Sequence, residues 1–191
     1  MNDISDSRAG QRLAWLHSVS ERNDIGLERA STDAGMRSYW RTTGLEPSRI
    51  VMDAPPGLED LPRWLDIGNL LASNRVRVPQ VLASDATAGF ALLEDLGGAT
   101  LAQTINDDTA DAGIDAAIDQ LLRLQQLTPT TGLPRFDQAL LHRDAGLFEQ
   151  WFIGTHLGLQ LDCGQVEQLQ LVQHRLMDNA LAQAQLPVHR D

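Results

Sequence analysis

The chain closes on Val188-His189-Arg190-Asp191, a short polar loop that follows a long amphipathic stretch and a proline. A carboxylate in such a loop can accept the proton of an attacking hydroxyl, as the catalytic-loop Asp of phosphoryl-transfer enzymes does. Asp191 is therefore the expected general base. Taken alone, His-Arg-Asp is also an ordinary polar loop; its place after a sheet-forming region, a hinge and several helices favours the chemical reading. A second segment, Leu92-Leu93-Glu94-Asp95-Leu96-Gly97-Gly98, turns from apolar to polar and then to glycine. Backbone groups in such a hinge can meet the hydrogen-bonding edges of an adenine, and Glu94 and Leu96 are the expected donors and acceptors. A third, Ala30 to Arg37, holds Ser31, Thr32, Asp33 and Gly35, whose main-chain amides can approach phosphate oxygens, with Arg37 as a pairing cation. The same residues also make a plain hairpin loop.

Other sites are weaker. His17, His142, His156, His174 and His189 lack the paired spacing that a zinc site needs, so no metal site is expected in this chain. His142-Arg143-Asp144 repeats the terminal triplet, but it runs into Ala145-Gly146-Leu147-Phe148, which reads as helix. The single cysteine, Cys163, excludes an intrachain disulfide framework and fits a reducing compartment. The four tryptophans sit on apolar stripes, where a core role is commoner than a ligand platform.

The elements that must position these residues fall into two regions. Leu13, Leu16 and Val19 recur at helical spacing from Arg8 to Val19, with Ser7 as a candidate N-cap. Three strands are expected at 27–30, 36–42 and 49–52, then a helix over 60–72 carrying Leu61, Trp64, Leu65 and Leu71 on one face. Two more strands, 78–83 and 90–96, flank a turn at 85–89. Beyond Gly97-Gly98 the pattern is helical. A stripe from Ile114 to Leu127 ends at Pro129, a second helix holds Leu147, Phe148, Trp151, Phe152 and Thr155 and stops near Gly158, and a third holds Val166, Leu169, Val172, Leu176 and Ala180 with Asp162 as N-cap. The fold class is thus α+β and bilobal, like a protein kinase, with a five-stranded antiparallel small lobe over 1–97 and an incomplete helical lobe over 98–191.

Charge narrows the partners. The chain carries 26 acidic against 15 basic residues, a net charge of −11, and every basic residue is an arginine. No extended positive surface is available for nucleic acid or an anionic membrane. Neither a signal peptide nor a membrane span is expected, which places the protein in the cytoplasm.

The segments Ile50-Val51-Met52-Asp53-Ala54-Pro55-Pro56, Leu92 to Gly97, Leu147-Phe148 with Trp151 and Gly154, Leu157-Gly158-Leu159, and Val188 to Asp191 resemble the aminoglycoside-phosphotransferase superfamily. Within it they are most similar to the bacterial anomeric kinases of N-acetylmuramate and N-acetylglucosamine that serve cell-wall recycling. The likeness runs from about Gln11 onward. It implies an ATP-dependent small-molecule kinase with Mg²⁺ bridging the phosphates, an amino sugar as substrate, Asp191 as base, and His189 and Arg190 holding the catalytic loop. The strand lysine that most kinases use on the α- and β-phosphates is replaced here by Val51-Met52-Asp53, a replacement that the resembled subfamily shares. The Asn and the metal-binding Asp that follow a catalytic loop lie beyond Asp191, so the chain is expected to be a fragment truncated at that loop and inactive alone. Aminoglycoside, choline or homoserine kinases of the same superfamily, or a non-catalytic remnant, are the alternatives. The acceptor and the oligomeric state are not fixed by the residues.

Overall fold

A computed structural model describes residues 8–32, 35–127 and 133–188. They form two compact units, one up to Leu124 and one from Gln125 onward.

The first unit is built on one antiparallel sheet. Its strands are β1 (Gly26–Thr32), β2 (Ser38–Thr43), β3 (Arg49–Asp53), β4 (Val81–Asp85) and β5 (Phe90–Glu94), in the order β1-β2-β3-β5-β4. The five expected strands are all present. β4 begins at Val81, three residues later than the apolar pattern suggests, because Pro79 has no N–H to give a ladder. β2 begins at Ser38 and leaves Met36 outside the sheet and exposed. The β4–β5 turn is closed by Asp85, whose Oδ1 accepts from the Thr87 and Ala88 amides at 3.0 and 2.9 Å. Gly89 makes this turn possible: its φ is +78°, and a Cβ there would strike the Ala54 carbonyl.

Each face of the sheet is covered by one helix, and strand alternation decides which residue faces which. On one face Met52, Ala54, Ala91 and Leu93 pack with Leu61, Trp64 and Leu65 of α2 (Leu61–Ser73). Asp60 caps α2 by accepting from the Arg63 amide, and Pro62 sits in its first turn, where no N–H is needed. On the other face Val51, Leu92 and Ile25 pack with Leu16 and Trp15 of α1 (Ala9–Ser20). α1 carries Arg8 at its cap with no side-chain cap bond, so the capping role expected of Ser7, itself outside the described residues, goes to no side chain there.

Among the described residues, all regular structure after β5 is helical. A single turn α3 (Leu101–Thr104) precedes α4 (Ala110–Gln125). Arg123 of α4 donates to the Arg75 carbonyl and Gln120 accepts from the Arg77 amide, which ties α4 to the α2–β4 connection.

In the second unit α5 (Gln138–Leu147) runs directly into a π-helical segment, Phe148–His156, and α6 (Cys163–Leu181) follows. The helix expected to begin near Leu147 thus begins nine residues earlier, capped by Asp137, and His142-Arg143-Asp144 lies within it. Asp162 caps α6 as expected, in a reciprocal capping box with Gln165. The α6 stripe is split: Met177 is buried with Val166, Leu169 and Ala180 partly so, whereas Val172 and Leu176 are exposed. Among the described residues no helix is long and apolar enough to cross a membrane.

Candidate functional site

β3 occupies the position at which kinases carry their phosphate-binding lysine, and its alternation settles what each of its residues does. Met52 points to the α2 face and is fully buried. It supplies packing and no cation. Val51 and Asp53 point the other way, toward α1.

Asp53 is 2% exposed and holds one arginine on each oxygen. Arg8 Nε donates to Oδ1 at 2.8 Å and Arg12 Nη1 to Oδ2 at 2.7 Å. Arg8 also donates to the Ala88 carbonyl at 2.6 Å, and its guanidinium lies 4.6 Å from the Phe90 ring centroid. The Arg12 guanidinium stacks 3.8 Å over Trp40. Burial pulls the Arg12 pKa below its ordinary value, opposed by the hydrogen bond and charge of Asp53. These groups fasten α1 to the sheet and face away from α2.

The hinge segment is held from both sides. The Glu94 carboxylate accepts from Arg77 Nη2 and Nη1 at 2.6 and 2.9 Å and from the Gln80 amide at 3.1 Å, which holds its pKa down to about 2. The Glu94 amide donates to the Gln80 carbonyl at 2.8 Å. That donor is therefore spent on the residue that precedes β4. Asp95 accepts from Arg41 Nε at 2.6 Å and Nη2 at 3.1 Å, from Ser48 Oγ at 2.7 Å and from the Gly97 amide at 2.9 Å. The Arg41 hydrogen bond, ahead of the opposing cost of burial, holds the Asp95 carboxyl far below the usual carboxylate range. Between these anchors Leu96 is exposed, and no described residue takes its backbone amide or carbonyl.

The expected phosphate-covering loop joins β1 to β2. Ser31 pairs with Tyr39 and Thr32 with Ser38, after an irregularity between Arg29 and Ser31. Asp33 lies outside the described residues, and Gly35 is exposed at the loop's far end. Arg37 is paired with Glu59 at 3.6 Å, and the Met36 amide donates to the same carboxylate at 3.2 Å. An open cavity of about 420 Å³ beside this loop is lined by 54, 56–62 and Ala86, with Glu59 and Asp60 as its charged residues. Its acidic lining does not suit a phosphate. His189, Arg190 and Asp191 lie outside the described residues.

Neither the Arg8–Asp53–Arg12 cluster nor the Arg41–Asp95–Ser48 cluster is among the expected site residues. Both left a trace in the sequence. Arg8 and Arg12 stand one turn apart in line with the apolar Leu16, so a guanidinium buried on that face would need a carboxylate partner, and Asp95 two residues before Gly97 is the signature of a side chain closing its own turn.

The sequence matches the phosphotransferase enzyme family over residues 26–191. The chain belongs to that family. It is 44% identical to the N-acetylmuramate/N-acetylglucosamine kinase of Pseudomonas putida and 38% identical to the protein of that name from Pseudomonas aeruginosa, each match covering 97% of this chain. A third protein so named, from Neisseria meningitidis, is 34% identical over 93% of the chain. The chain spans 58% of the length of the two Pseudomonas proteins and 54% of the Neisseria one. The α+β architecture with its five-stranded antiparallel sheet fits the kinase-like fold expected from the sequence.

Proposed function

We propose that this chain is the nucleotide-binding part of an ATP-dependent kinase that phosphorylates the anomeric hydroxyl of N-acetylmuramate or N-acetylglucosamine. Residues 1–97 form the nucleotide lobe and 98–191 the start of the helical lobe. The observation that carries the substrate class is the 44% identity, over 97% of the chain, to a protein named for those two sugars. The sheet order and the open Leu96 backbone support the donor class.

In this reading the adenine lies along the hinge and bonds the Leu96 amide and carbonyl. The Glu94 amide, spent on Gln80, contributes none of these bonds. Ser31, Thr32, Asp33 and Gly35 cover the phosphates with backbone amides, and Arg37 stands at the base of their loop on Glu59. Asp191 takes the proton of the anomeric hydroxyl as its oxygen attacks the γ-phosphorus, the β–γ bridge breaks, and ADP leaves with the bridging oxygen. A divalent ion such as Mg²⁺, when bound, neutralises charge on the phosphates; among the described residues no group of three or more His, Cys, Asp or Glu side chains is gathered to hold one.

The test is ADP release by the chain extended to the full length of its relatives, across N-acetylmuramate, N-acetylglucosamine, an aminoglycoside, choline and homoserine. Turnover with the amino sugars is expected. Preference for any of the other acceptors overturns the substrate assignment and spares the fold.

A further inference from the structure

Asp95 accepts four hydrogen bonds at a point where the chain has no regular structure. Two come from Arg41 on β2, one from Ser48 in the β2–β3 connection, and one from the Gly97 amide two residues on. The last bond closes a turn of the backbone around Leu96, and Gly97 completes it at φ +94°, where a side chain would be strained. The Arg41 guanidinium then lies against Gly98, 3.8 Å from where a Cβ would stand. Asp95 is 6% exposed at its side chain, so this network is sheltered from water.

A connection that only had to change direction would need the Gly97 bond alone. The three further bonds fix the turn against β2 and the β2–β3 connection, and Arg77 of the α2–β4 connection fixes the preceding residue, Glu94. What this leaves in a set orientation is the Leu96 backbone, whose polar groups no described residue takes.

We propose that Asp95 is a positioning residue for the nucleotide: with Arg41 and Ser48 it pre-orders the turn so that the Leu96 amide and carbonyl meet the adenine edge without a further loss of backbone freedom. The inference rests on the nucleotide reading above. Unfastened, the segment must be ordered by the ligand, and fixing about one residue's backbone corresponds to roughly a tenfold loss of affinity. The loss belongs to the base, so adenosine and a non-hydrolysable ATP analogue should suffer it equally.

The experiment is calorimetry on the full-length protein and on Asp95→Ala, Asp95→Asn, Arg41→Met and Ser48→Ala, with adenosine and with the ATP analogue, alongside each variant's unfolding midpoint. Asp95→Ala should weaken both ligands by the same roughly tenfold factor, and Asp95→Asn, which can still accept from Gly97, should recover part of it. KM for the sugar should stay unchanged in every variant that turns over. Should Asp95→Ala not fold, Arg41→Met and Ser48→Ala must show the same equal loss on the two ligands. Unchanged affinity in folded variants, or a loss on the ATP analogue that adenosine does not share, overturns the positioning role. Failure of the unmodified protein to bind either ligand overturns the nucleotide reading itself, and is distinguishable because it precedes any substitution.

Discussion

Replacing Asp53 by asparagine should be among the most damaging single changes in the first unit. The carboxylate is 3% exposed at its side chain and Arg12 is 4% exposed, so the substitution strips a buried guanidinium of its counter-charge. Arg12 cannot turn to water, because it is stacked 3.8 Å over Trp40, and its Nε already lacks a hydrogen-bond partner. Removing one member of a buried ion pair costs about 3–5 kcal/mol. Arg8 adds less, since its side chain is 22% exposed and keeps the Ala88 carbonyl as a partner. With a urea slope on the order of 2 kcal/mol per molar, the unfolding midpoint should fall by about 2 M. Trp15 and Trp40, both on the α1 face of the sheet, make intrinsic fluorescence the natural probe. The double variant Asp53→Leu with Arg12→Met should recover most of the loss, because it removes the stranded charge along with its partner. A loss below about 1 kcal/mol for Asp53→Asn, or a double variant no better than the single one, would refute the argument that the pair is buried and mutually dependent.

Other perturbations follow from the same geometry. Gly89→Ala should cost more than about 1 kcal/mol, because the turn needs φ +78° and the new Cβ would displace the Ala54 carbonyl beside the 2.8 Å bond from the Ala54 amide to Gly89; urea unfolding measures it. Asp162→Ala should lose about 1 kcal/mol of α6 stability by breaking its capping box, read as lower helical content near the transition. Glu94 has its carboxyl lowered from 4.5 to about 2 by Arg77 and the Gln80 amide, so its contribution is full above pH 4.5 and is lost as pH falls toward about 2. Stability profiles from pH 6 to 2 should therefore fall less steeply for Glu94→Gln than for the unmodified chain.

Much of this architecture is legible in the order of the residues. Asp60 and Asp162 each stand immediately before an apolar period of 3.6, and each caps a helix. The five strands are punctuated by residues that can only turn, such as Asp85 to Gly89. The features that are not legible have physical causes. The start of α5 at Gln138 is hidden because His142-Arg143-Asp144 interrupts the apolar period, although Asp137 marks the cap. The π-helical segment leaves no periodic trace, since its apolar residues read equally well as an ordinary helix. The exposed Val172 and Leu176 show that an apolar stripe tells which residues can be buried, not which are. The hinge motif offers Glu94 and Leu96 as backbone donors and acceptors; that the Glu94 amide bonds the Gln80 carbonyl, just ahead of β4, is a long-range fact that a short polar motif does not contain. Asp53 reads locally as part of a string ending in two prolines; its role depends on arginines 41 and 45 residues away.

The most direct measurement of the central claim is ³¹P NMR of the product formed from ATP and N-acetylglucosamine by the extended chain, run beside Asp191→Asn. A phosphate on the anomeric carbon is expected, formed on the order of 10²–10⁴ times more slowly by the Asn variant, with affinity for the ATP analogue retained. A phosphate on any other hydroxyl, or an Asn variant as fast as the unmodified protein, would contradict the account.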